Sequence, residues 1–262
     1  MKEMTTLARP GRFALGAFHA ANLEQVQAIL EAALETRSPA IVALDESAAI
    51  YAGLGPFLAM VRELALELPA PVAVELDHVH DLDLVAKGLA RGAGGVLYDP
   101  RDDAGAEGRR RMEAAREMCA KAGAWFELEV RGGEGGRPVA EAVALWRALK
   151  PDCACLSLTA SEREAPGEEF FGYAGELRRA GALLSVAGAG AWPEADIRRA
   201  VAAGVWKISV GTRLNQAFTD GLRSSLQGYA GIQPRSYLGA ARDAVRREAV
   251  ACIRAFGSEG SA

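Results

Sequence analysis

Eight short apolar runs recur along this chain, and a stretch with helical periodicity follows each one. The runs are Phe13–Phe18, Ala40–Leu44, Val72–Leu76, Gly95–Tyr98, Trp125–Val130, Cys153–Leu158, Leu183–Ala187 and Trp206–Val210. Each run with its following stretch reads as a βα unit. Eight such units in 262 residues, with no internal linker rich in Pro, Ser or Gly, predict an α/β fold of the (β/α)8 TIM-barrel type. A single barrel domain over residues 1–262 is expected, and a doubly wound sheet is the alternative. Local signals agree. Asn22 with Gln25 has capping-box spacing and opens a helix whose stripe is Leu23, Val26, Ile29 and Leu30. Pro193 with Asp196 opens the seventh helix, and Gly204 closes it. An additional helix over Tyr237–Phe256 follows the eighth unit.

Composition narrows the class of partner. Half of the residues are hydrophobic and 24% are charged, which suits a globular core. The net charge of -4 and the lack of a basic stripe argue against nucleic acid. Cys119, Cys153, Cys155 and Cys252 lack zinc-knuckle spacing and read as reduced core thiols. No long uncharged apolar stretch occurs, and Glu3, Arg9 and Arg12 interrupt the N-terminus. A soluble cytoplasmic chain with no membrane partner is the expectation.

In a closed barrel of this type, chemistry gathers at the C-terminal ends of the strands. His19 follows the first strand, and Asp45 and Glu46 the second. Glu75, Asp77, His78 and His80 end the third, and Asp99 the fourth. Glu127, Glu129 and Arg131 share one face of the fifth. All three histidines of the chain lie at strand ends, which marks a polar site. The run from Gly132 to Gly136 reads as hinge material for a loop.

Several segments resemble class II ketose-bisphosphate aldolases, in the right order along almost the whole chain. They are Gly16-Ala17-Phe18 with Asn22-Leu23-Glu24-Gln25, Leu76-Asp77-His78, Phe126-Glu127-Leu128-Glu129, and Gly204-Val205-Trp206-Lys207-Ile208. Pro234-Arg235-Ser236-Tyr237-Leu238 and Phe256-Gly257-Ser258 continue the match. The resemblance implies a zinc-dependent barrel that cleaves fructose- or tagatose-bisphosphate to dihydroxyacetone phosphate and an aldehyde. The metal would polarise the carbonyl and stabilise an enediolate. Asp77 matches the acid–base residue and His78 a zinc ligand. The second zinc histidine falls at Ser161 and the third at Ala187, so one zinc ligand of three is kept. Asp99 and Glu129 match carboxylates around the metal. His19 stands where the family has Asn, and Asp45 where it has a substrate-contacting Ser.

Glu75 with Glu129, Asp99 and His78 would make a carboxylate-rich pocket for zinc, manganese or magnesium. The alternative is an ion-pair network in which Arg131 and Lys207 neutralise Glu75, Asp77, Glu127 and Glu129. Lys207 invites Schiff-base chemistry, although a structural role is favoured. Gly188, Gly190, Ser209, Gly211 and Thr212 are candidates for phosphate, with His19 and Asp45 near the substrate; as turn residues they need no ligand at all. His19 and His80 read as acid–base groups, or in the case of His80 as a cap for the helix beginning near Leu82.

The expected function is an aldolase-like lyase with a remodelled divalent-metal centre, acting on a small phosphorylated ketose or related carbonyl compound. No nucleotide cofactor is implied, and the resemblance implies a homo-oligomer, dimer or tetramer. An inactive paralogue serving as a binding or scaffold subunit is the alternative.

Overall fold

In the computed structural model, which describes residues 12–101, 105–132, 137–158 and 166–262, the apolar runs become eight strands. They are β1 (Leu15–His19), β2 (Ala40–Asp45), β3 (Val72–Val79), β4 (Gly95–Tyr98), β5 (Trp125–Gly132), β6 (Cys153–Leu158), β7 (Leu184–Val186) and β8 (Val205–Val210). All pair in parallel and in chain order, and β8 closes onto β1 with Leu15 opposite Lys207. The barrel is therefore closed, as the repeat requires.

The helices are α1 (Leu23–Thr36), α2 (Glu46–Ala52), α3 (Leu54–Glu67), α4 (Leu82–Ala90), α5 (Gly105–Ala122), α6 (Val139–Leu149), α7 (Glu168–Arg179), α8 (Glu194–Ala202), α9 (Thr212–Leu226) and α10 (Pro234–Ala255). Asn22 caps α1 by accepting from the backbone of Gln25, and Gln25 reaches back to the amide of Ala21. Val26, Ile29 and Leu30 are buried as expected, but Leu23 is 43% exposed and faces solvent. The additional helix α10 starts at Pro234, a residue suited to a first turn. It packs on α9 and α1. No single helix among the described residues is long and apolar enough to cross a membrane.

Alternation along the strands divides the barrel interior into layers. Leu15, Ile41, Trp125, Cys153 and Trp206 form an apolar floor. Between Leu184 and Ser185 the register against β8 slips, so that Ser185 lies opposite Lys207 with Trp206 as the extra residue. Trp206 meets Trp125 edge-on and donates to the sulfur of Cys153. Above this floor the interior turns polar: Glu75, Glu127, Ser185 and Lys207 are all buried. The next polar residues along these strands, towards their C-terminal ends, form the mouth.

Candidate active site at the barrel mouth

Local backbone geometry explains how Asp77 and His78 come together. In a regular strand, successive side chains point to opposite faces, so His78 would leave the interior. Instead, β3 carries a bulge: Leu76 lies opposite Val96, yet Val79 lies opposite Tyr98. Three steps on one strand match two on the other. His78 sits at the irregularity with φ 51, a left-handed conformation that is uncommon outside Gly, Asn and Asp. The bulge re-aims the imidazole, and its Nδ1 lies 2.7 Å from Oδ2 of Asp77.

Asp77 is fully buried. Its Oδ2 also accepts from Nε2 of His19 at 2.7 Å, while Oδ1 has no hydrogen-bond partner among the described residues. His19 turns its other nitrogen towards Asp45 at 3.7 Å. Asp45 in turn caps α2 through the amide of Ala48. Burial works against the charge on both imidazoles, but Asp77 outweighs it, with Asp45 adding to the effect at His19. The pKa of His19 rises to about 10 and that of His78 to about 9. Burial pushes Asp77 upward, yet His78 and His19 hold it well below the usual carboxylate range. The nearby imidazole of His19 likewise holds Asp45 low.

Across the mouth, Arg131 pairs with Asp99 at 2.8 Å and with Glu129 at 3.4 Å. Burial, with the nearby Asp99 charge, pushes Glu129 up to about 7 against the pull of His78 and Arg131. Donor chemistry tests whether a divalent cation fits here. Nδ1 of His78 is tied to Asp77, which leaves Nε2 facing Oε1 of Glu129 at 3.9 Å. That separation is too long for a hydrogen bond. An imidazole nitrogen and a carboxylate oxygen are both donor types that zinc, manganese or magnesium would take. Oε2 of Glu129 is buried without a hydrogen-bond partner among the described residues. An imidazole oriented by a carboxylate beside an under-satisfied carboxylate is metal-binding chemistry. His19, Asp77 and His78 also offer ligand atoms within 4.8 Å of one another. The residues present fit a cation held by few protein donors. No cluster of three imidazoles lies among the described residues; Ala187 brings no donor, and Ser161 lies outside the described residues.

Two expectations change. Glu75 is not presented to His78 and Glu129. It lies deeper, where its Oε2 accepts from Lys207 at 2.7 Å, and Glu127 pairs with the same ammonium at 2.9 Å. Burial opposes the charge of Lys207, but Glu127 and Glu75 overcome this and hold its pKa well above the ordinary value. Buried and paired with two carboxylates, Lys207 takes a structural place. His80 is not the cap of α4, since Asp81 fills that place by accepting from the amide of Asp83. The His80 ring instead stacks on Tyr98, and its Nδ1 meets the carbonyl of Asp99.

The phosphate candidates lie together at the ends of β7 and β8. Gly188 has φ 76 and leads into a turn of 3-10 helix at Ala189–Ala191, next to the start of α9. Ser209 is buried, and its Oγ has no hydrogen-bond partner among the described residues. Gly211 and Thr212 open α9, and no side chain among the described residues caps the start of that helix. Sequence reasoning does not single out Arg213, which donates to the carbonyl of Gly190 and pairs with Glu248. The readable signal is a cation in the first turn after strand eight. Arg101 also escapes it; this residue joins Glu46, which accepts from the amides of His80 and Asp81. That tie spans three loops and leaves no local pattern. The hinge residues Gly133–Gly136 lie outside the described residues.

Known proteins share this barrel. The family model described as "Fructose-bisphosphate aldolase class-II" matches residues 1–148 and 174–261. The fructose-bisphosphate aldolase of Geobacillus stearothermophilus is 31% identical over 281 residues, covering 100% of this chain and 98% of the relative. The D-tagatose-1,6-bisphosphate aldolase subunit GatY of Klebsiella oxytoca is 30% identical over 276 residues, covering 99% and 97%. The solved structure of fructose-bisphosphate aldolase from Campylobacter jejuni superposes with a TM-score of 0.85 at 17% identity, over 100% of this chain and 94% of that one. The chain belongs to the class II fructose-bisphosphate aldolase family.

Proposed function

We propose that this protein is a carbon–carbon lyase that cleaves a small phosphorylated ketose, or a related carbonyl compound, with a remodelled divalent-cation centre. The observation that carries the reading is Asp77: buried at the mouth, held charged, with one oxygen clamped and the other without a hydrogen-bond partner among the described residues. Retro-aldol cleavage needs a base at the hydroxyl two carbons from the carbonyl. Oδ1 of Asp77 would take that proton as the carbon–carbon bond breaks and its electron pair moves to the carbonyl oxygen. Because two imidazoles keep Asp77 ionised, it starts as a base, which matches the cleavage direction. In condensation the same oxygen returns the proton.

His78 through Nε2 and Glu129 through its carboxylate would hold the cation, zinc, manganese or magnesium, with Asp99 steadied beside them by Arg131. When bound, that ion supplies Lewis-acid polarisation of the substrate carbonyl. Ser209, Gly211 and Thr212, with the turn of Gly188 and Gly190, would seat the phosphate, and His19 and Asp45 border the substrate. Ile50, Tyr51 and Ile232 expose large apolar side chains, which supports a homo-oligomer.

The test is cleavage of fructose and tagatose 1,6-bisphosphates and of singly phosphorylated ketoses, with chelator and then with each cation. Weak or absent turnover of fructose 1,6-bisphosphate with zinc is expected, because Ala187 offers no ligand. Turnover of another ketose phosphate with manganese or magnesium, lost in Asp77→Asn, is the positive outcome. The absence of a donor at Ala187 favours a second reading, an inactive aldolase-like binding or scaffold subunit. No turnover of any ketose phosphate by a cation-loaded protein would establish that reading instead.

A further inference from the structure

We propose that His19 is a positioning residue: it pins Oδ2 of Asp77 and so presents Oδ1 as the oxygen that exchanges the substrate proton. The inference rests on the aldolase reading above and gives His19 a role other than bordering substrate or exchanging a proton itself.

Three observations support it. The imidazole of His19 donates from Nε2 to Oδ2 of Asp77 at 2.7 Å, and that same oxygen meets Nδ1 of His78 at 2.7 Å. Two donors on one oxygen fix the plane of a carboxylate, and Oδ1 is left as its single unengaged atom among the described residues. The ring is itself held at two places. Its Nδ1 faces Asp45, anchored by the amide at the start of α2. A Cβ added at Gly211 would come within 3.2 Å of the ring, so the backbone just after strand eight packs against it. A chain of contacts therefore runs from the α2 cap through Asp45 and His19 to Asp77. With His19 removed, only His78 restrains the carboxylate, and His78 rides on a bulge.

The experiment compares His19→Ala with His19→Gln, whose amide nitrogen reaches about as far as Nε2 and keeps a donor. Each variant is assayed with the ketose phosphate that the wild type turns over best. Solvent-deuterium exchange into dihydroxyacetone phosphate is measured beside it, since exchange at carbon needs no deprotonated hydroxyl. In His19→Ala, kcat should fall about 100-fold, the scale of a reacting group misplaced by an ångström, with KM little changed. Exchange should fall less than cleavage, and His19→Gln should recover most of kcat. A raised KM at constant kcat would overturn the proposal in favour of plain substrate binding. A His19→Gln variant no better than His19→Ala, with both folded, would overturn it as well.

Crystal structures of the wild type and of both variants keep the two readings separable. If the wild type neither cleaves a ketose phosphate nor exchanges deuterium, the lyase reading fails. The positioning claim is then judged on Asp77 alone. A carboxylate turned in His19→Ala and restored in His19→Gln upholds it, and an unmoved carboxylate overturns it.

Discussion

Nζ of Lys207 lies 2.7 Å from Oε2 of Glu75, and both groups are sealed from water beneath the barrel mouth. Glu127 meets the same ammonium and also accepts from Ser185. One cation thus serves two buried carboxylates, an arrangement that is stable only while complete. Even so, burial and the charges of Glu127 and Asp77 raise Glu75 to about 7 against the pull of Lys207.

Lys207→Met should therefore destabilise the protein by about 3–5 kcal/mol at pH 7, because two carboxylates lose their counter-charge. Adding Glu75→Leu and Glu127→Leu to it should recover much of that loss. Protonation relieves the unpaired acids, so the gap between Lys207→Met and the wild type should narrow as pH falls from 8 to 5. Urea denaturation across that range measures both effects. A single variant within about 1 kcal/mol of the wild type would show that the triad contributes no more than a surface pair does.

A different pH dependence belongs to Asp45 and His19. Asp45 is held below its ordinary value, so its contribution is present above the unfolded carboxylate pKa and fades as pH falls through the folded one. His19 is raised to about 10, so its contribution is complete below its unfolded value of 6.5 and fades as pH climbs through 10. Asp45→Asn keeps a helix cap and removes the charge. With Asp45 36% exposed, the loss at neutral pH should be about 0.2–1 kcal/mol. The melting difference from the wild type should persist near pH 6 and shrink both below pH 3.8 and above pH 10 in metal-free protein. A difference independent of pH would remove the charge from the explanation.

Ser209 carries a prediction with two signs. Its buried hydroxyl oxygen lacks a partner among the described residues, and the proposed phosphate site includes it. Ser209→Ala should stabilise the free protein slightly by deleting an unsatisfied group. It should also weaken inorganic phosphate binding roughly tenfold, the value of one hydrogen bond to a charged ligand. Calorimetric titration with phosphate, beside a melting curve, reads both. Unchanged affinity would place the anion elsewhere.

Much of this architecture is legible in the linear chain, for a physical reason. Eight apolar runs at regular intervals leave few ways to bury every strand, and inward alternation on β5 puts Glu127, Glu129 and Arg131 on one face as period two demands. The site is less legible because two irregularities build it. Strict alternation sends His78 out of the barrel, and only the bulge with its positive φ brings it back beside Asp77. The pairing of Glu75 with Lys207 joins residues far apart in the chain, so the acidic run on β3 looks like one ligand cluster when it is two layers. His19 stood out as a strand-end polar residue, but nothing local links it to Asp77.

The cation centre gives the last prediction. If His78 Nε2 and Glu129 hold a divalent ion, binding should stabilise the fold by mass action. The gain is about 2.7 kcal/mol at a hundred times Kd, or about 5–10 °C in melting temperature for a chain of this size. Manganese, zinc and magnesium are each added to chelated protein at pH 7, and the melting curves compared. His78→Ala should abolish the rise and leave the barrel folded, because it removes the nitrogen that faces Glu129. Glu129→Gln should weaken the rise, since it retains an oxygen donor without the charge. The ion-pair alternative expects no rise with any metal, because Arg131 already sits against Asp99 and Glu129. A melting temperature indifferent to all three ions would sink the cation centre, and a rise retained by His78→Ala would move it to other residues.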